Sequence, residues 1–411
     1  MTRYLISAVE QALWSVLNLG VNLLLIRLVA PSHYGAFAFW ANTGFVLSSL
    51  QNALTVCHLQ VLAPGPIRAE PRLSVERLMH AVTIPFLLAV AAASFVGVIF
   101  LQRAGSALGA PAAALFLPAF LLQQYIRALA FTRGRPATAA LQTGMVLVTA
   151  VSLLTLAFLA HALTADRVLL SLGLAYGLVG VGGAALAVRE QIGGAPWPPL
   201  GDFRHYVAQS GWIFLGVSST ELLTRFYAFI VTGWYGPVAL ASLSATQQLL
   251  RPVPLLATSW SMIGRADLAR RREAGDWRGF VRVMALALVG GVVVAVGWAA
   301  LIYQAWPLIT QHLFGGKYQS FRWMTLMWGL AAAIGFTQVV ISAGLQALHA
   351  FKGLALANAA ASLVGAGAIL LIMRASGYPG AILGTAIGQM MELVVMAALL
   401  AAMLRGRMKK A

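Results

Sequence analysis

Twelve apolar runs, each about twenty residues or longer, occupy most of the chain, with approximate limits 5–26, 36–62, 80–101, 110–132, 137–160, 168–188, 206–232, 238–262, 283–305, 323–346, 352–373 and 380–404. A run of about 20 mostly apolar residues is what a helix needs to cross a hydrocarbon core of roughly 30 Å. No water in that core can satisfy an open backbone, so a spanning segment closes its hydrogen bonds within itself. The pattern predicts an all-α polytopic membrane protein of about twelve spans. Composition agrees: 60% of the 411 residues are hydrophobic and 9% are charged, against about 25% charged in an ordinary soluble domain. So little polar surface cannot cover a globule in water.

The separators carry turn chemistry, as in VAPSHYG, RGRP, GWYGP, FGGKYQS and SGYPG, or charge, as in REQIGGAPWPPLGDFRH and RADLARRREAGDWRGFVR. The start, MTRYLISAVEQ, shows no small-residue cleavage site after its first apolar run, so this segment is expected to remain as a membrane helix. Cys57, the single cysteine, lies in an apolar run and reads as a packing residue.

The net charge of +17 does not point to nucleic acid, because the basic residues lie between apolar runs rather than along one helical face. With twelve spans and an inner N-terminus, 19 of the 28 Lys and Arg fall on cytoplasmic segments, among them Arg68, Lys409 and Lys410, and six fall on outer ones. Arginines held inside explain that bias, and it places both termini in the cytoplasm. Arg127, Arg225 and Arg251 are left inside spans.

The halves echo one another. VAPSHYGAFAFW and YGPVALASLSAT superpose Pro31 on Pro237, and an even number of spans separates them. A parallel repeat of two six-helix bundles, related by an axis along the membrane normal, is expected. Its lobes would be 1–188 and 206–411, joined by a Gly- and Pro-rich cytoplasmic linker, 189–205.

Five stretches in order resemble the polysaccharide flippases, which move lipid-linked oligosaccharides across bacterial inner membranes. LVAPSHYGAFAF (28–39) is similar to their first outer turn, and RADLARRREAGDWRGFVRV (265–283) to their central basic loop. LFGGKYQS (313–320) is similar to the turn after the ninth span. ALHAFKGLALANAAAS (347–362) and YPGAILGTAIGQ (378–389) resemble the last inner and outer turns. The resemblance implies a MATE-like fold, in which two bundles face a cavity that opens to one side at a time. As partners it implies a pyrophosphate-linked oligosaccharide lipid, the bilayer, H+ or Na+ as driving ion, and polysaccharide assembly enzymes. Two features depart from it. The family often sets an acid directly before the arginine of the seventh span; here Thr224 precedes Arg225 and the acid, Glu221, is one turn earlier. The chain is also compact, with no extra terminal helices, which argues against the lipid II flippase branch.

A charge at mid-bilayer costs about 2.5–3.5 kcal/mol on insertion scales, so it faces a partner or a wet cavity. Glu221 and Arg225, four residues apart, share a face and can neutralise each other. They are either a structural tie or a cavity pair opened by an anion or a proton. Arg251 stands in ATQQLLRPVPLL, where Pro252 and Pro254 should break the helix and free carbonyls. Beside Gln247 and Gln248 it suits a phosphate, which its planar fork can bind bidentately; the alternative is an arginine capping those carbonyls. Arg127 and Glu10 lie near a membrane face, where Arg127 can snorkel or contact substrate. Glu392, deep in the last span, is a second ion-coupling candidate with Glu221, or the partner of an arginine. Gln11, Asn18 and Asn22 share a face of the first helix, which suits sugar hydroxyls or bonds between helices.

No catalytic constellation is present, no Walker A motif, and no metal-ligand spacing among the seven histidines and Cys57. Neither cofactor nor enzymatic activity is expected. A flippase is the leading reading. A MATE-type exporter of small organic cations shares the fold but would want acids clustered in one half. A membrane glycan polymerase would need larger loops.

Overall fold

The computed structural model describes residues 2–62, 70–190 and 197–408. Arg68, Lys409, Lys410 and positions 191–196 of the expected linker lie outside the described residues. Among those described there are helices and turns but no strand. The first helices are α1 (Thr2–Leu28), α2 (Pro31–Gln51) and, after a five-residue π-helix (Asn52–Val56), α3 (Cys57–Leu62). There follow α4 (Glu70–Arg103), α5 (Ala113–Thr132), α6 (Pro136–Leu159), α7 (Ala165–Arg189) and α8 (Arg204–Gln248). The last are α9 (Pro252–Glu273), α10 (Trp277–His312), α11 (Met324–Ala347), α12 (Phe351–Ser376) and α13 (Gly380–Met408).

Proline and glycine set the breaks. Pro31, Pro136 and Pro252 each open a helix, where a missing N–H removes no intrahelical bond. The two echoing turns are built alike. Ala30 is extended ahead of Pro31. Inside α8, Gly236 takes φ 79° and ψ 175°, and helix resumes at Pro237. The residue before a proline is disfavoured in the helical region, although Arg251 before Pro252 stays helical, and only a glycine reaches the positive φ of position 236 without strain.

Among the described residues ten helices are long and apolar enough to cross a membrane, with Ser210–Gln248 counted as one. Of the other two expected spans, 36–62 runs on as helix through a π-turn and 238–262 is divided. The first consists of α2, the π-turn and α3. The second is divided between the end of α8 and α9, whose last turns carry Arg270, Arg271 and Arg272.

The chain forms two compact units, residues 1–218 and 219–411, with α8 passing from one to the other. In each, the fourth span is the pillar. α5 packs on α2, α4, α6 and α7; α11 packs on α9, α10 and α13. More than half of each pillar's apolar window is buried, 56% in both. Small residues bring backbones together, as usual between membrane helices. A Cβ at Gly173 of α7 would stand 3.1 Å from the Phe116 Cα of α5. One at Gly388 of α13 would stand 2.6 Å from the Gly365 Cα of α12. The outer helices turn apolar side chains away from the protein: Leu88, Phe95, Val96 and Phe100 on α4, and Leu286, Val289, Val293 and Val296 on α10, are each more than half exposed. Apolar surface on this scale requires lipid as its solvent. The protein is a multi-pass membrane protein.

Candidate functional site

In the second unit, α8, α9, α11, α12 and α13 surround a cavity of about 290 Å³. Thr220 and Thr224, one turn apart, bring the same face of α8 to it. Glu392 of α13 is 9% exposed. The Gln338 side-chain amide of α11 spends its N–H groups on α13, donating to Glu392 Oε2 at 2.8 Å and to the Gln389 carbonyl at 2.9 Å. Asn358 of α12 donates to Thr220 Oγ1 at 2.9 Å. That leaves two buried acceptors, Gln389 Oε1 and Asn358 Oδ1, with no hydrogen-bond donor among the described residues. Both residues line the cavity with Glu392. A carboxyl and two undonated amide oxygens offer acceptors here, so this part of the cavity can take a proton-bearing or cationic group.

Glu221 and Arg225 lie on the adjoining face of α8. Arg225 Nε stands 2.7 Å from Glu221 Oε2, with side-chain exposures of 30% and 15%. The expected ion pair is therefore formed and partly open. Neither residue lines the cavity that holds Glu392. Two residues beyond Arg225, the Tyr227 hydroxyl donates to Gln247 Oε1 at 2.9 Å, and the charges of both Arg225 and Arg251 act on that hydroxyl. Residues separated by up to thirty positions are thus gathered at one level of the unit.

Arg251 stands at the helix break that its prolines predict, between the end of α8 and the start of α9. The backbone there is almost wholly satisfied by other groups. Leu250 N donates to Gln247 O, Arg251 N to Gln248 O, and Val253 N to Leu250 O. Trp298 Nε1 donates to the Leu249 carbonyl at 2.8 Å. The carbonyls freed by Pro252 and Pro254, those of Gln248 and Leu250, accept from the Arg251 and Val253 N–H groups. Gln248 is buried, and its Oε1 accepts from no described residue.

The candidate polar residues of α1 and α5 are engaged with their neighbours. Arg127 Nε and Nη2 reach Glu10 Oε1 and Oε2 at 2.5 and 2.8 Å. Thr143 donates to Glu10 Oε1 at 2.7 Å, and Gln11 Oε1 accepts from Arg127 Nη2 at 3.4 Å. The guanidinium also stands 5.2 Å from the Trp14 ring centroid. Snorkelling to a membrane face is replaced by a tie joining α1, α5 and α6. Asn18 donates to the Trp14 carbonyl, Asn22 to the Asn18 carbonyl, and Asn22 Oδ1 accepts from the Tyr34 hydroxyl at 3.0 Å. The α1 amides thus bind their own helix and α2. Arg133, which the sequence assigns to a solvated loop, is buried against Glu76 and also meets Glu190 at 2.8 Å.

Sequence reasoning missed Gln338, Asn358 and Gln389. The available signal was uncharged amides in the middle of otherwise apolar spans. Among the described residues no three or more His, Cys, Asp or Glu side chains are grouped to hold a metal ion.

A bundle of membrane helices in two units, each built on its fourth span, with ionisable side chains inside, is the MATE-like fold. No family model matches the chain, and no curated protein matches it. Solved structures do. A lipid II flippase MurJ in an inward closed conformation superposes with a TM-score of 0.73 at 12% identity, over 95% of this chain and 86% of that one. A multidrug resistance MATE family transporter of the MOP superfamily, inward-facing, gives 0.73 at 12% identity, over 98% and 99%. A MATE transporter from Vibrio cholerae gives 0.59 at 15%, over 98% and 96%. At such identities the likeness is one of fold.

Proposed function

We propose that the protein is a transporter that moves a lipid-linked, pyrophosphate-bearing oligosaccharide from the cytoplasmic to the outer leaflet of a bacterial inner membrane by alternating access. In this reading both termini are cytoplasmic, and polysaccharide assembly enzymes supply and consume the cargo. Arg251 binds the pyrophosphate, Gln247 and Gln248 orient it, and the Glu221–Arg225 pair opens to share in its charge. Glu392 exchanges the coupling ion, H+ or Na+, in the cavity of the second unit.

The carrying observation is the α8–α9 break, which sets Arg251 within an apolar span beside Gln247 and the buried Gln248. A mid-membrane arginine beside two side-chain amides suits an anionic cargo. The acceptor oxygens around Glu392 also favour a second reading, export of a small organic cation, which would bind there through its own N–H groups.

Arg251→Lys keeps the charge and loses the fork. A charge-assisted hydrogen bond contributes about 1.5–3 kcal/mol, so transport per folded molecule should fall roughly ten- to a hundredfold, and Arg251→Ala should fall at least as far. Wild-type transport by the lysine variant would assign Arg251 to the fold.

A further inference from the structure

Three polar residues of α11, Gln338, Ser342 and Gln346, recur every fourth position and line the same cavity as Glu392 and Arg265. The rest of this pillar is largely apolar and buried, with Ile334, Phe336, Val340, Ile341 and Leu345 each under 9% exposed. At 1.5 Å per residue, Gln338 and Gln346 stand about 12 Å apart along the axis. Hydrogen bonds run along the file from both ends. Arg265 Nη1 donates to Gln346 Oε1 at 2.9 Å, and Gln346 Nε2 donates to Ser342 Oγ at 3.0 Å. At the other end Gln338 donates to Glu392. Only the step from Ser342 to Gln338 lacks a direct bond. It is one helical turn, about 6 Å, which one water can bridge. At a liquid volume of about 30 Å³ per molecule, the cavity is polar and roomy enough for several waters.

We infer that this file is the wet path by which Glu392 exchanges its proton with the cytoplasm. Glu392 gives its carboxyl proton to a water of the path, leaving carboxylate and hydronium, and the proton leaves past Gln346 and Arg265. Arg265 marks the exit, because the arginine distribution places its end of α9 at the cytoplasm. Packing alone would not repeat polar side chains along one face from a buried acid to a basic helix end. The inference rests on the reading of Glu392 as the coupling site, and it adds the side of the membrane from which that site is served.

The chain's single cysteine makes the test direct. In a Cys57→Ser background, Gln338→Cys, Ser342→Cys, Gln346→Cys and a control on the apolar outer face of α10, Val293→Cys, are exposed to a small charged methanethiosulfonate in vesicles of each orientation. Ser342→Cys is nearly isosteric and should fold. The path predicts modification from the cytoplasmic side, fastest at 346, slower at 342 and slowest at 338, with the control unmodified. Modification from the outer side alone, or none at any of the three, overturns it. Ser342→Leu should also slow proton-driven transport several-fold. If Glu392→Gln uncouples transport but Ser342→Leu does not, the path fails and the coupling site stands. If Glu392→Gln is harmless, the coupling site fails, and labelling still decides whether the path is wet.

Discussion

Arg127→Leu is expected to lower stability by about 3–5 kcal/mol, the range measured when one member of a buried ion pair is removed. Glu10 is only 1% exposed, and its carboxylate takes two hydrogen bonds from Arg127 and one from Thr143. Without the guanidinium the carboxylate keeps one neutral donor in an apolar bundle. It must then ionise unpaired or take up a proton, and either outcome weakens the joint between α1, α5 and α6. The double variant Glu10→Leu, Arg127→Leu should recover most of the loss, because two apolar side chains can replace a buried pair at little net cost. Thermal loss of monodisperse protein in detergent measures both. A single variant as stable as wild type would show that the pair does not hold the bundle. The rescued double variant also decides the role of Arg127: full transport by it would leave that residue without a part in substrate binding.

Glu392→Gln should leave the fold intact and remove coupling. Glutamine can still accept from Gln338 at the same position, so the α11–α13 contact survives. What disappears is the one acid among the described residues that line the cavity. Coupling free energies between sites are about 1–3 kcal/mol, or roughly 5–150-fold in rate or affinity. Gradient-driven transport should fall by about that factor, and the residual activity should no longer respond to the imposed ion gradient. Unchanged gradient-driven transport in a stable Glu392→Gln protein would remove Glu392 from the mechanism.

Much of the fold was legible because the bilayer constrains the sequence so strongly. Apolar length gave the spans, and Pro31 and Pro237 marked matching turns because proline restricts the conformation of the residue before it. Apolar composition cannot register a π-turn at Asn52–Val56 or a break between Gln248 and Pro252. Within the site, Glu221 and Arg225 were legible because a four-residue spacing is local. Glu10 and Arg127 lie 117 residues apart, and no local pattern joins them. Gln338, Asn358 and Gln389 escaped for a different reason: an amide scarcely perturbs hydropathy, and its importance depends on which buried oxygen is left without a donor.

The central claim is the cargo. Purified protein in vesicles carrying a fluorescent polyprenyl-pyrophosphate saccharide should move that lipid between leaflets in response to a proton or sodium gradient, measured by the fraction accessible to a membrane-impermeant quencher. The same vesicles loaded with an organic cation such as ethidium should show no protein-dependent efflux. Protein-dependent ethidium efflux with no movement of the saccharide lipid would contradict the account.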